Sequence, residues 1–471
     1  SDRHNGAILG DNKPLTVDAD GRTLTIEAKK EANGFLTGIY HGGQVLNGPK
    51  NGDLTITAKD LNVNVNGIGK AYGIYNTSDN LLCVHGNTNI TVQGGTGAEV
   101  TGIEATLSGT TQLDGLTIHQ AKSSNAEHRA IRNTGKGSRI FVNMAEDGTL
   151  GTNKVEIQGN VLSDNENAAN EAEQPLTNLA LTTADSKLTG TLLAGAKGKV
   201  DLYLKNGGSW YNEHYGTTAG LVASNVTKLT GGTSAADAGN VYMKEEKDLT
   251  VANYAGHTNF FFEHDASTPT ALKGGNVKIV KAEANSHATM ITEHTGVDST
   301  NLTSVLQALA KKLYYMESED SHNLSGTVKV LEGLTSSSAQ MTGGLGYIAF
   351  GADHRGTYSP TAPVYHDQTL ENFAVPITNT GIDSEYISDG VRKTDGSYVF
   401  TQDKTTITTG GAFIAGGPWT PNINAAISNT DTTKPLKIDL KGHDLTVNIN
   451  ASSHTTGITA VGNGSEIVVD N

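Results

Sequence analysis

A single cysteine in 471 residues rules out an internal disulfide framework and any cysteine-rich metal site. Cys83 lies between Leu82 and Val84, a setting for a buried, inert thiol rather than a nucleophile. Aromatic residues make up only 6% of the chain, and no apolar run is long enough to cross a bilayer as a helix. No charged-then-apolar signal segment is read at its start, and the sequence reads as beginning in mid-architecture. Positive charge is in deficit: 34 Lys and Arg face 49 Asp and Glu, for a net charge of -15. That balance removes the electrostatic reason to approach nucleic acid or an anionic membrane surface. Catalytic signatures are missing too. There is no Gly-x-Ser-x-Gly elbow, His-Glu-x-x-His run, P-loop or Gly-Gly-x-Gly-x-Asp calcium repeat, so no cofactor or metal is implied.

Glycine is abundant at 56 residues, and Asn, Thr and Ser crowd the remaining polar positions, a composition suited to short strands and frequent turns. The strands are legible. Leu24-Thr25-Ile26, Leu54-Thr55-Ile56, Ile90-Thr91-Val92, Leu116-Thr117-Ile118 and Val155-Glu156-Ile157 alternate apolar and polar residues, as half-buried strands do. Between them recurs a second word: Thr37-Gly38-Ile39-Tyr40, Tyr72-Gly73-Ile74-Tyr75, Thr101-Gly102-Ile103-Glu104 and Arg129-Ala130-Ile131-Arg132. A recurrence of roughly 30 residues fits one coil of a β-solenoid, whereas a sandwich has turns at closer, regular spacing. Ile39, Ile74, Ile103 and Ile131, with Ile26, Ile56 and Ile118, are therefore expected to stack as interior ladders. Gly38, Gly73 and Gly102 are expected to form sharp corners before the ladder isoleucines.

Asn160 to Ala180 reads as a loop or insertion. Strands then follow at Val200–Leu204, Leu249–Val251, Phe260–Phe262 and Val277–Val280. One segment breaks the β pattern: apolar residues at Leu302, Val305, Leu306, Leu309 and Leu313 form a helical stripe. Asp298, Ser299 and Asn301 are available near its start, and Lys311 and Lys312 near its end. Its expected role is to cover an open end or side of the solenoid, where bare apolar side chains and strand edges would otherwise be left. A longer-range repeat overlies all of this. Lys13-Pro14-Leu15 through Ile26 recurs as Lys434-Pro435-Leu436 through Val447, and Thr37-Gly38-Ile39 as Thr456-Gly457-Ile458, a composite unit of about 420 residues.

Gly208-Ser209-Trp210, Leu229-Thr230-Gly231-Gly232, Leu249 to Gly256 and Phe260-Phe261-Phe262, followed by Gly274 to Ile279, Val305 to Tyr315, Leu324 to Val328 and Glu332 to Ser337, resemble the passenger region of bacterial type V autotransporters. The likeness is closest to large repetitive surface adhesins of Negativicutes-like bacteria and covers roughly residues 200–340. It implies a right-handed parallel β-helix displayed outside the cell, carried on an outer membrane through a part not present here.

The expected fold is thus all-β. It comprises a parallel β-helix over 1–170, a β-rich module with a helix near 301–315 over 171–342, a Pro/Gly-rich connection over 343–385, and a restarting β-helix over 386–471. The expected function is structural or adhesive and not enzymatic, with other copies of itself and cell-surface or matrix ligands as partners. It involves no nucleic acid and no membrane insertion by this segment. The rival is a secreted carbohydrate-active β-helix enzyme, which needs two or three carboxylates converging within about 5–10 Å. The sequence offers Asp18 with Asp20, Glu245 with Glu246, and Glu317 with Glu319 and Asp320, all in turn-like or charged segments. Asn212-Glu213-His214 is the nearest approach to a site, and His41, His85 and His119 recur among the rungs. Asp18-Ala19-Asp20-Gly21 resembles the front of a calcium loop, but Lys29 occupies the place of the bidentate acid, which favours a plain turn.

Overall fold

The computed structural model describes residues 6–331 except 12, 30–33, 44–51, 96, 126, 218–222, 294, 298–300 and 316–322; beyond these it describes 342–349, 366–367, 369–370 and parts of 386–470. The chain winds as a parallel β-helix whose early coils build three parallel ladders. The first ladder stacks Gly6–Asp11, Leu36–Gly43, Ala71–Ser78, Val100–Ala105, Arg129–Asn133, Val161–Ser163 and Leu192–Ala194. The second begins at Leu15–Asp18 and the third at Thr23–Lys29. Both continue through the long strands Leu54–Asn66, Leu82–Gln93 and Thr110–Gln120, each of which turns a corner and serves both ladders. Alternation explains the strands: in Leu54–Asn66 the apolar positions are buried and the intervening polar ones less so.

The interior is a set of apolar stacks in register. Ile8, Ile39, Ile74, Ile103, Ile131, Val161 and Leu192 lie directly above one another in the first ladder. Ile56 belongs to a second stack, with Val17, Val84, Leu113, Val142, Leu179, Leu202 and Leu229. Ile26 and Ile118 belong to a third, which runs through Val63, Ile90, Ile157, Leu188, Trp210, Val241, Phe260 and Met290 to Val328. The seven isoleucines thus sort into three stacks, and all are buried. Each such side chain stabilises the fold by about 1.5–3 kcal/mol relative to exposure.

Gly38, Gly73 and Gly102 are not corners. They lie inside strands of the first ladder with ordinary negative φ, at the point where that ladder's backbone packs onto side chains of the third. A Cβ at Gly102 would sit 3.0 Å from Ile118 Cγ2 and 2.6 Å from the Ala130 carbonyl oxygen. These glycines therefore permit close approach between ladders rather than a turn.

The composition change near residue 170 does not interrupt the ladders. Val161–Ser163 and Leu176–Leu181 pair with strands on both sides, so Asn160 to Ala180 is two strands around a short 3-10 turn at Glu171–Glu173 rather than an insertion. The coil does change section further on. Asn225–Thr230 pairs through Asn225 with the first ladder and through Lys228 to Thr230 with the second, so one strand now serves both. Leu249–Ala255 and Val277–Ala282 continue this fused form.

The helix is shorter than its stripe. It spans Leu302–Ala310, and Leu313 instead begins the strand Leu313–Tyr315, paired with Val277. Val305, Leu306, Leu309 and Ala310 join the main apolar core, beside the late third-ladder strands Ser286–Glu293 and Leu324–Leu331. Asn301 precedes the helix without capping it; its side-chain amide donates to the Gly296 carbonyl at 2.9 Å. Asp298 and Ser299 lie outside the described residues, as does the side chain of Leu302. After Leu324–Leu331 the parallel stack gives way to the antiparallel strand Thr342–Ala349.

Candidate functional site

The outward face of the first ladder carries the densest chemistry among the described residues. Because side chains alternate along a strand, the residue after each stacked isoleucine points outward: Tyr40, Tyr75, Glu104 and Arg132 in successive coils. Phe35 and Tyr72 join them. Phe35 stacks on Tyr72 at 4.6 Å between ring centres and meets Tyr75 edge-on at 5.3 Å, while Tyr40 stacks on Tyr75 at 5.9 Å. One coil later the aromatic surface gives way to charge. Lys70 Nζ lies 2.7 Å from Glu99, and the Tyr72 hydroxyl donates to Glu99 at 2.9 Å. A single nitrogen of Arg132 lies 3.4 Å from Glu99 and 3.3 Å from Glu104, with Glu127 at 3.9 Å from its neighbour.

The two carboxyls have diverging proton affinities. Burial pushes Glu104 up to about 8, against the opposing pull of Arg132. Burial also pushes Glu99 upward, but hydrogen bonds from Lys70 and Tyr72 and the two cationic charges outweigh it and hold Glu99 below the usual range. Arg132 is shared among Glu99, Glu104 and Glu127, so its charge is divided between three carboxyls and does not outweigh the burial of Glu104. Access is poor, however. Glu104 is 2% exposed and the Glu99 side chain 12%.

A second aromatic strip runs along the outside of the third ladder. Tyr211 stacks on Tyr242 at 4.3 Å with planes 10° apart, and Tyr242 on Phe261 at 4.7 Å, with Lys187 Nζ 4.3 Å above the Tyr211 ring. Farther along, His257 and His287 stack at 5.4 Å, and burial holds His287 down at about 4. A cleft of about 410 Å³ opens where Gly94, Gly95 and Gly97 face Lys122, Ser123 and His128.

The sequence candidates fare unevenly. Asp18 and Asp20 make a turn: the Asp18 carboxylate accepts the Asp20 N–H at 2.8 Å, and Asp20 and Gly21 both take positive φ. Glu245 accepts the His214 N–H at 3.0 Å, so two segments considered apart meet, although through backbone rather than ring. His41, His85 and His119 do not stack; their register partners are Asn76, Thr57 and Thr91. His41 is buried between the Asn76 amide oxygen and the Gly52 carbonyl, while His85 faces Asp114. Glu317, Glu319 and Asp320 lie outside the described residues. No group of metal-ligating side chains occurs among the described residues.

The Glu99–Glu104–Arg132 cluster escaped sequence reading because Arg132 joins the two glutamates from the following coil. The available signal was the recurring word itself, whose final position changes from Tyr to Glu to Arg between coils. Comparisons with protein-family models, curated proteins and solved structures found no match.

Proposed function

We propose that this chain is part of an extracellular, repeat-built surface protein of autotransporter type, acting as a stiff fibre or adhesin stalk. The observation that carries the reading is the unbroken third ladder from Ile26 to Val328. Continuous parallel pairing over that length makes a rod, and each rung is stabilised chiefly by its neighbours. The two aromatic strips, half-buried and stacked ring on ring, supply attachment surface along their outer edges, where rings can meet sugars or apolar groups. Self-association into filaments belongs to the same reading. The test is binding of the purified chain to bacterial and host cells and to immobilised matrix. Saturable binding that weakens when Tyr211 and Tyr242 are changed to Ser supports it, and no binding to any surface refutes the adhesive part.

A carbohydrate-active enzyme is favoured by one observation, the two carboxyls of divergent proton affinity sharing Arg132. Their burial counts against it, because a substrate would have to reach a side chain with almost no exposed surface. Release of reducing sugars from surface glycans, abolished by Glu99→Gln, would establish the enzyme reading.

A further inference from the structure

The two copies of the opening motif share strand register and turn geometry, and the second is paired on the side where the first, among the described residues, is open. Gly6 and Ile8 pair with Thr37 and Ile39, as Ala425 and Ile427 pair with Thr456 and Ile458. Leu15–Asp18 corresponds to Leu436–Asp439. Each is followed by two left-handed residues, Asp20 and Gly21 in one copy and Lys441 and Gly442 in the other. In each turn the preceding aspartate accepts the N–H two residues on, at 2.8 and 3.1 Å. The correspondence therefore begins near Asn5 and Asn424, ahead of the Lys-Pro-Leu words.

The copies differ on one side. Among the described residues, Gly6–Asp11, Leu15–Asp18 and Thr23–Lys29 pair only toward later coils. Their counterparts are also covered from the front. Ser397–Phe400 pairs with Leu436–Asp439, Lys404–Thr408 with Leu445–Ile449, and Ile414–Gly416 with Ala425–Asn429. Burial follows: Ile427, Leu436 and Ile438 are 0%, 4% and 1% exposed in one apolar cluster with Tyr398 and Phe400. Ile8, Leu15 and Val17, at the matching positions, are only half-buried.

We infer that the leading edge formed by Gly6–Asp11, Leu15–Asp18 and Thr23–Lys29 is a docking surface for the strands Ser397–Phe400, Lys404–Thr408 and Ile414–Gly416 of a second unit, so that successive units join as one continuous β-helix. Tyr398 then lies beside Val17, and Ser397 beside Thr16, repeating the pairing of Tyr398 with Ile438 and Ser397 with Lys437. The inference rests on the repeat-built fibre reading and specifies its joint.

The test extends the full chain at its front with its own residues 386–423 joined to Asn5, in a Cys83→Ser background. Amides of Leu15–Asp18 and Thr23–Lys29 are expected to exchange at least tenfold more slowly than behind a scrambled extension. Ser397→Cys in the extension should form a disulfide with Thr16→Cys but not with Asp18→Cys. Tyr398→Asp in the extension alone should erase the protection. Unchanged exchange, or cross-linking without regard to register, overturns the inference. Surface binding is scored on the unextended chain, so failure of the joint and failure of the adhesive reading are seen in different arms.

Discussion

Replacing Glu104 with Gln should stabilise the protein, by an amount set by pH. Glu104 is a carboxyl whose folded-state pKa is raised, from 4.5 to about 8, chiefly by burial. Below 4.5 it is neutral in both folded and unfolded chains and contributes no pH dependence. Between 4.5 and 8 the unfolded chain ionises while the folded chain keeps its proton, so stability falls as pH rises. Above 8 the loss is complete and constant. At about 1.4 kcal/mol per unit, the cost is roughly 3 kcal/mol at pH 7 and between about 4 and 5 kcal/mol above pH 8. Glutamine keeps the shape of the protonated carboxyl and cannot ionise, so Glu104→Gln removes this cost. Arg132 keeps Glu99 at 3.4 Å and is not left unpaired. The assay is hydrogen exchange of the Val100–Ala105 amides in wild type and variant at pH 4.5 and pH 8, with rates corrected for intrinsic pH dependence; a local readout suits a solenoid that need not unfold in one step. The variant should match wild type at pH 4.5 and be clearly more protected at pH 8. A variant less protected at pH 8 would show that Glu104 is ionised and held by Arg132, and would refute the reasoning.

Further expectations follow from the ladders and from two titratable groups. Ile74→Ala empties a fully buried place between Ile39 and Ile103 and should cost about 2–5 kcal/mol, measured by denaturant unfolding, with Ile103→Val costing about 1. Gly73→Val drives side-chain atoms into Ile90 and the Gly102 carbonyl and should destabilise by several kcal/mol, whereas the same change at the open turn residue Gly148 acts only through its positive φ. His287, held down at about 4 against 6.5, should make the His257–Phe262 region acid-labile. Its stability is fully present above pH 6.5 and is lost as pH falls toward 4, by up to about 3 kcal/mol, and His287→Gln should flatten that slope in thermal melts. Burial pushes Cys83 up to about 11, so thiol reagents at pH 8 should label it far more slowly in the folded chain than in guanidinium.

Much of the fold was legible because a solenoid repeats its instructions. The word Thr-Gly-Ile-Tyr located the first ladder coil by coil, and the stacking of Ile39, Ile74, Ile103 and Ile131 follows from period-two alternation and the recurrence interval alone. The glycines of that word were misleading because a glycine marks either a turn or a close approach, and only the facing ladder tells which. Leu313 continued a helical stripe yet entered a strand, since pairing with Val277 overrides spacing. The acidic cluster was hidden for a different reason. Glu99, Glu104 and Arg132 are separated by one coil or less, and nothing local in any of them announces the others.

The shift in texture that suggested a separate module after residue 170 has a structural counterpart in the coil section. Early interior positions are filled by Ile, Leu and Val from three ladders, two of them carried on long strands such as the 13-residue Leu54–Asn66, whereas later coils carry the first and second ladders on strands of only 6 or 7 residues. Fewer interior positions per coil must then fill the space, and larger side chains do so: Tyr254, Phe260 and Phe262 are all fully buried, as is Trp210 in the last coil before the change. Trp210 also needs a partner for its indole N–H, which donates to the Gly190 carbonyl at 2.8 Å. The Trp-then-Phe signature that carries the autotransporter resemblance thus also brackets the change of coil section, with Trp210 in the last three-strand coil and Phe260 and Phe262 in a later two-strand one. A resemblance of this kind can therefore arise from coil geometry as well as from descent. Trp210→Leu separates geometric need from mere tolerance. If the change of section requires the ring, the strands Lys187–Thr189 and Gly239–Met243 on either side of it should lose exchange protection while the coils before residue 160 keep theirs.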